Sequence, residues 1–161
     1  MKRHPAVAAL LMALFMLVVV ASCGGDDSTG NAPTGSISGT ITFRGPWPAT
    51  GSIYITVFGQ YPPTGAPDAF SNPILENQLG PNRTYNYKLS GIEAGTYKAV
   101  LIGWREGIGS DFCTGLYWPH PDSLGTDAAC TAQAPGPSAV TVTKDKNLPN
   151  VNMVSDLTLI P

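Results

Sequence analysis

Short segments in which apolar and polar residues alternate recur along the chain, separated by clusters of glycine, proline and asparagine. Alternation with a period of two is typical of β-strands that bury one face, and the 18 glycines and 15 prolines supply turns between such strands. Beyond residue 35, no segment keeps apolar residues at helical spacing for three turns. The pattern therefore predicts an all-β domain over residues 36–161.

Six strands are expected, together with a weaker seventh at a sheet edge. The six cover residues 36–43, 52–58, 84–89, 96–104, 139–143 and 151–159, and the weaker one lies near Ile74 and Leu75. In the first strand Ile37, Ile41 and Phe43 would face inward, with Ser36 among the outward residues. The second is apolar on both faces and should lie centrally. About seven short antiparallel strands would pack as two sheets about 10 Å apart, which predicts a single antiparallel β-sandwich.

Two segments carry a family resemblance. Residues 36–41 (Ser-Ile-Ser-Gly-Thr-Ile) resemble the opening strand of carboxypeptidase regulatory-like domains, and residues 89–97 (Leu-Ser-Gly-Ile-Glu-Ala-Gly-Thr-Tyr) are similar to their L-x-x-I/L-x-x-G-x-Y signature. The resemblance implies a transthyretin-like (prealbumin-like) sandwich, of the same broad architecture as immunoglobulin-like domains. In that family the domain supports folding or contacts rather than chemistry.

The signature residues have physical roles in this interpretation. Leu89 and Ile92 would close the core, and Gly95 would allow the backbone conformation of a tight connection. Tyr97 would pack its ring inward and leave its hydroxyl free to bond a loop. The chain departs from the family in lacking an Asp-Gly hairpin before Tyr85 and in having a long insertion at 105–137.

The N-terminus has the composition of an export signal. A basic start, Lys2 to His4, precedes an unbroken apolar run over residues 6–21. Because a membrane-spanning helix needs about 20 apolar residues, this run is short for a permanent span and suits the apolar region of a signal peptide.

The run ends in Val20-Ala21-Ser22-Cys23, which resembles the lipobox of bacterial lipoproteins. The resemblance implies cleavage after residue 22 and attachment of diacylglycerol to the sulfur of Cys23. Two or three acyl chains, at about 0.8 kcal/mol per buried CH₂, are enough for stable anchoring. Residues 1–22 would then be the signal peptide and 23–35 a lipidated, polar tether. The alternative is ordinary secretion with cleavage near Ala21 or Ser22, which leaves Cys23 as a thiol.

The remaining cysteines, Cys113 and Cys130, form an even pair in a chain bound for an oxidising compartment. A disulfide between them would close a loop of about 17 residues and contribute roughly 3 kcal/mol in the chain-entropy model. Two unpaired thiols are the alternative.

Charge and motif content argue against several functions. Charged residues make up 12% of the chain and the net charge is −2, which does not suit a nucleic-acid binder. We find no G-x-S-x-G, P-loop or H-E-x-x-H motif, and the single histidine of the mature chain, His120, lies between two prolines as a loop residue. No enzyme activity, cofactor or metal site is expected. The acidic residues of the long loop match no calcium-binding pattern and suit a solvated loop: Glu106, Asp111, Asp122 and Asp127.

Aromatic residues are the remaining candidates for binding. Tyr117 and Trp118 flank the cysteine loop, Trp47 lies in a proline-rich turn, and Trp104 is expected in the core. Indole and phenol rings that stack on sugars would make a carbohydrate site, although Tyr117 and Trp118 could instead pack the loop onto the sheet.

These observations predict a lipid-anchored protein of the bacterial cell envelope. In a cell with two membranes the outer one is favoured, because Gly24 follows Cys23 in place of the aspartate that retains the lipoproteins of enteric bacteria in the inner membrane. Its partners would be the membrane, through the lipid, and an envelope protein or a glycan. The domain is expected to be a non-enzymatic structural or binding module. The alternative is a carbohydrate-binding module that uses Trp118, Tyr117 and Trp47.

Overall fold

The computed structural model describes residues 32–107, 112–118 and 137–161. Within these ranges the chain forms β-strands and short 3-10 turns without an α-helix, so the all-β prediction is confirmed. The strands are β1 (Thr34–Arg44), β2 (Ser52–Phe58), β3 (Ala69–Phe70), β4 (Thr84–Glu93), β5 (Gly95–Tyr97), β6 (Ala99–Arg105), β7 (Phe112–Leu116), β8 (Val140–Val142), β9 (Asn147–Leu148) and β10 (Met153–Asp156). Single 3-10 turns lie at Glu76–Gln78, Pro81–Arg83 and Leu157–Leu159. None of the helical turns in these ranges has the length and apolar character needed to cross a bilayer.

Most strands belong to one curled sheet with the order β3-β2-β6-β7-β10-β1-β4, and β9 also pairs with β1. The strands β5 and β8 form a separate two-stranded sheet. Strand β1 runs parallel to β10, with Ile41 opposite Met153, and parallel to β9. The sheet is therefore mixed, and the expected single antiparallel sandwich of about seven strands is not confirmed. Alternation reports which face of a strand is buried and carries no information about the direction of its neighbour.

Several predicted strands differ in extent from the observed ones. The strand predicted at 84–89 continues to Glu93, and the one at 96–104 is two strands, because Lys98 leaves the β5 pairing and donates its N–H to the Phe58 carbonyl at 2.8 Å. The strand predicted at 151–159 ends at Asp156, whose carboxylate accepts from the Thr158 N–H at 3.0 Å and starts a 3-10 turn. The weak strand near Ile74 is a single bridge to Ile53, while β3 lies earlier.

The main core lies on one side of the curled sheet. It receives alternate residues of β1, β2, β4 and β6 together with residues of β5, β8 and β10. The inward positions predicted for Ile37, Ile41 and Phe43 are confirmed, since all three are buried. Trp104 is also buried and donates its indole N–H to the Thr50 carbonyl at 2.9 Å.

Two residue-level expectations were wrong. Ser36 was expected to face outward, but it is buried where β9 pairs with β1, and its hydroxyl donates to the Asn147 side chain at 3.0 Å. Gly95 was expected to supply an unusual backbone conformation, but the positive φ of this connection, 78°, belongs to Gly91 inside β4. The chain bends at Gly91, four residues before Gly95, and Ile92 then returns to the core.

Candidate functional site

A groove of about 660 Å³ lies on the face of β2 and β6 that is opposite the main core. Its volume falls within the roughly 300–1,000 Å³ of small-ligand sites. Strand β2 lines it with Tyr54, Thr56 and Phe58, strand β6 with Gly103 and Arg105, and the connection between β2 and β3 with Pro63, Gly65, Ala66, Pro67 and Phe70.

Pairing between β2 and β6 explains where the groove opens. Tyr54 lies opposite Gly103 in the antiparallel register, and Thr56 lies opposite Leu101. Because Gly103 has no side chain, the sheet surface beside Tyr54 is left uncovered. The alternate residues Ile53, Ile55 and Val57 point to the main core, so β2 uses both of its faces.

The connection over residues 59–68 forms a wall of the groove and is held by its own polar residues. The Asp68 carboxylate accepts from the Gly59 N–H at 2.6 Å, which closes the loop at its base. The Gln60 side chain donates to the Thr64 carbonyl at 3.2 Å and also contacts the Thr64 hydroxyl. The Asp68 N–H donates to the Val57 carbonyl at 2.9 Å and fixes the returning chain to β2. The loop therefore places Pro63 and Pro67 along the groove.

The groove combines ring faces, hydroxyls and one charge. Phe70 is 66% exposed, an unusual state for a large apolar side chain, and it faces the same groove as Tyr54 and Phe58. The hydroxyls of Tyr54 and Thr56 make no hydrogen bond to another described residue. Among the described lining residues, Arg105 carries the charge. Such a surface can bind a ligand that has flat C–H faces and hydroxyl groups.

A small apolar cluster continues from the groove along the same face of the sheet. Its buried members are Phe58, Ala99, Leu101 and Leu116, and the partly buried Tyr61, Cys113 and Trp118 pack over them. Phe58 belongs to both the cluster and the groove. Trp118 is thus the sequence-predicted candidate that lies on the face of the groove.

The other two predicted aromatic candidates lie elsewhere. Trp47 and Tyr117 pack against the main core, and Trp47 meets the Phe43 ring edge-on with centroids 5.3 Å apart. The structure does not bring Trp47, Tyr117 and Trp118 together on one surface. The residues that form the groove, above all Tyr54, Phe70 and Arg105, were missed by the sequence reasoning. The signal in the sequence is that 52–58 is apolar on both faces, which indicates central burial as well as a second exposed apolar surface.

Some predicted residues fall outside the described part of the chain: Cys23, Cys130, His120, Asp111, Asp122 and Asp127. Cys113 lies in β7 opposite Gly103, with its sulfur 3.4 Å from the Gly115 carbonyl oxygen. The pairing of Cys113 with Cys130 stays a prediction. Glu106 is exposed, and the residues described contain no cluster of three His, Cys, Asp or Glu side chains that could bind a metal.

Two buried tyrosines have structural hydrogen bonds. Tyr87 donates its hydroxyl to the Val151 carbonyl at 2.7 Å, and burial raises the pKa of this phenol well above its ordinary value. Tyr97 donates to the carbonyl of Glu93 at 2.8 Å, so the acceptor is the last residue of β4 and not the loop residue that the sequence predicted. Burial, and then the nearby charges of Asp68 and Glu93, raise the pKa of Tyr97. Both phenols therefore stay protonated and tie their rings to the backbone of Val151 and Glu93.

Neither a protein-family model, a curated protein nor a solved structure matches this chain.

Proposed function

We propose that this protein is a lipid-anchored, non-enzymatic binding module of the bacterial cell envelope, and that its ligand site is the groove between β2, β6 and the 59–70 connection. The observation that carries the binding proposal is the exposed Phe70 ring beside Tyr54 over a sheet surface opened by Gly103. The domain is proposed to descend from the transthyretin-like sandwich, supported by the core positions of Leu89, Ile92 and Tyr97. Fold alone does not fix a function, so the ligand is argued from the groove.

The anchor rests on Val20-Ala21-Ser22-Cys23 at the end of the apolar run. A thioether to diacylglycerol requires the thiol of Cys23, and the polar residues 24–35 would separate the domain from the bilayer surface. In a cell with two membranes, Gly24 favours the outer one.

Metabolic labelling tests the anchor. Cells that express the full chain and grow with labelled palmitate should yield a labelled protein in the envelope pellet. Cys23→Ser should abolish the label and release the domain, whereas Ser22→Ala, which keeps a small residue before the cleavage site, should leave both unchanged. An unlabelled wild-type protein, or a Cys23→Ser protein that stays in the pellet, would disprove the anchor.

The ligand class that the groove fits best is a saccharide. Phe70 and Tyr54 offer ring faces to sugar C–H groups, and the Tyr54 and Thr56 hydroxyls offer partners to sugar hydroxyls. The carbohydrate site that we propose is therefore the groove, and not the loop aromatics that the sequence indicated. Trp118 borders it through the cluster around Phe58.

A glycan array on the full-length protein tests this ligand class. Wild type should bind at least one oligosaccharide, and Phe70→Ala should weaken that binding about tenfold through the loss of ring contact. Leu75→Ala is the matched control, because Leu75 is also exposed, at 52%, and does not line the groove. A blank array would reject the saccharide. Binding that is lost in Trp118→Ala but kept in Phe70→Ala would return the site to the cysteine loop.

The disulfide remains part of the proposal, since β7 holds Cys113 at the start of the long loop. The mature protein should be two hydrogen masses lighter before reduction than after it, and equal masses would remove the disulfide.

A further inference from the structure

A second cavity, which we call the slot, lies beside the groove in the gap between the two edges of the curled sheet. Its volume is about 340 Å³, at the lower end of the range for small-ligand sites. Residues 70–72, at and after β3, line one side of it, and residues 87–90 of β4 line the other. Because β3 and β4 stand at opposite ends of the strand order, the curl of the sheet brings its two edges together around the slot.

Phe70 lines both the groove and the slot, so its ring stands at their boundary. It lies opposite Thr56 in the antiparallel pairing of β2 and β3, which places both side chains on the groove side of the sheet. Since β3 is the last strand of the described sheet on this side, the ring is left 66% exposed. A ligand that lies against Phe70 in the groove therefore has direct access to the slot.

The edge of β4 presents free backbone groups to the slot. In β1, the Ser38 carbonyl accepts from the Val151 N–H at 3.0 Å, so the backbone groups of Ser38 point away from β4. Lys88 lies directly opposite Ser38, and two residues opposed in an antiparallel pair point their backbone groups either toward each other or apart. The N–H and C=O of Lys88 therefore point away from β1, on the side of the slot, and so do those of Ser90, two residues further along the strand.

The slot contains more hydrogen-bonding groups than the described chain satisfies. The Ser71 hydroxyl is occupied, since it accepts from the Ile55 N–H at 2.9 Å. The outward N–H and C=O groups of Lys88 and Ser90 make no hydrogen bond to another described residue, and neither does the exposed Asn72 side chain. Sugar hydroxyls both donate and accept, so a saccharide can pair with all of these groups. A fatty acyl chain would leave them without partners.

We propose that the groove and the slot together bind one linear saccharide that is longer than a disaccharide. One sugar unit lies in the slot, the next lies against the Phe70 ring, and the others lie along Tyr54 in the groove. This inference rests on the proposed function and adds to it a second binding site and a preference for chain length.

Titration calorimetry of the full-length protein in detergent tests this inference. The probes are malto-, cello- and chito-oligosaccharides, each as a size series from disaccharide to hexasaccharide. In a series that binds, the affinity should rise about tenfold from disaccharide to tetrasaccharide, because the longer chain adds hydrogen bonds in the slot. Asn72→Ala should reduce this gain about threefold and leave disaccharide binding unchanged. Asn86→Ala is the matched control, because Asn86 is an exposed asparagine of β4 that lines neither the groove nor the slot.

Hydrogen–deuterium exchange adds a measurement at the backbone of β4, and the outcomes separate the two proposals. The hexasaccharide should slow exchange of the Lys88 and Ser90 amides, and the disaccharide should not. If every chain length binds equally, and Phe70→Ala weakens all of them, the groove is a saccharide site and the slot is not part of it. If Asn72→Ala and Asn86→Ala reduce the gain equally, the inference is also wrong. If no member of any series binds, both the slot and the saccharide function fail.

Discussion

Gly39 and Gly95 have opposite surroundings, although both lie in strands. A methyl group on Gly39 would collide with the backbone carbonyl of Val151, whereas the nearest atom to one on Gly95 is a Tyr97 ring carbon at 4.0 Å. Since backbone cannot move aside as a side chain can, overpacking at Gly39 should cost about 1–3 kcal/mol.

Urea unfolding of the two alanine variants measures this difference. Gly39→Ala should lower the midpoint clearly, and Gly95→Ala should change the free energy of unfolding by about 0.5 kcal/mol or less. Equal midpoints would show that β1 and the Val151 segment are not packed as closely as described.

The Tyr87 phenol makes stability depend on alkaline pH. Burial raises its pKa in the folded state above the ordinary value of 10.0, so the fold favours the neutral phenol. This contribution is complete below about pH 10, and it is lost as the pH rises toward the folded-state pKa, because the unfolded chain ionises first.

Thermal unfolding from pH 8 to pH 11 tests the sign of this effect. Wild type should lose stability above about pH 10, and Tyr87→Phe should lose less over the same interval because one of the buried phenols is gone. At pH 7 the variant should be about 1 kcal/mol less stable, since the Val151 carbonyl loses its donor. Parallel pH curves for the two proteins would contradict this account of Tyr87.

At the scale of elements, β7 and β10 are joined by a buried pair of hydroxyls. Thr114 and Ser155 are both fully buried, their hydroxyl oxygens lie 2.8 Å apart, and Thr114 also reaches the Ile102 carbonyl at 3.2 Å. Removing one partner leaves a buried polar group with fewer hydrogen bonds.

Ser155→Ala should therefore cost about 1–2 kcal/mol in chemical unfolding. Thr141→Ala is the matched control. The Thr96–Thr141 hydroxyl pair at 3.2 Å is exposed, so water can replace the hydrogen bond that Thr96 loses. A smaller loss for Ser155→Ala than for Thr141→Ala would contradict the buried pair.

Alternation predicted β1, β2 and β4 because each places apolar residues at every second position against one core. It missed β7, whose buried residues Thr114, Gly115 and Leu116 are consecutive and of mixed polarity. It also missed the two-residue β9, which is fixed by pairing with β1 rather than by its own pattern. The direction of β10 depended on contacts distant in sequence, so local residues did not reveal the mixed sheet.

For the whole molecule, the proposed anchor and the groove differ in how far apart in the sequence the residues that form them lie. The anchor is encoded in four adjacent residues that end at Cys23, so the sequence alone suggests it. The groove needs Tyr54, Phe70 and Arg105 from separate segments, and it opens because Gly103 is placed opposite Tyr54. No contiguous sequence pattern encodes that arrangement, so the sequence indicates the loop aromatics and not the groove.

Hydrogen–deuterium exchange tests most directly whether the groove is the binding surface of the molecule. It is measured on the mature full-length protein, with and without an oligosaccharide that binds the wild type on the glycan array. Bound sugar should slow exchange in peptides that cover 59–70 and in those that cover β2 and β6, and Phe70→Ala should lose this protection. Protection confined to peptides that contain Trp47, or to the chain after Trp118, would contradict the groove as the ligand site.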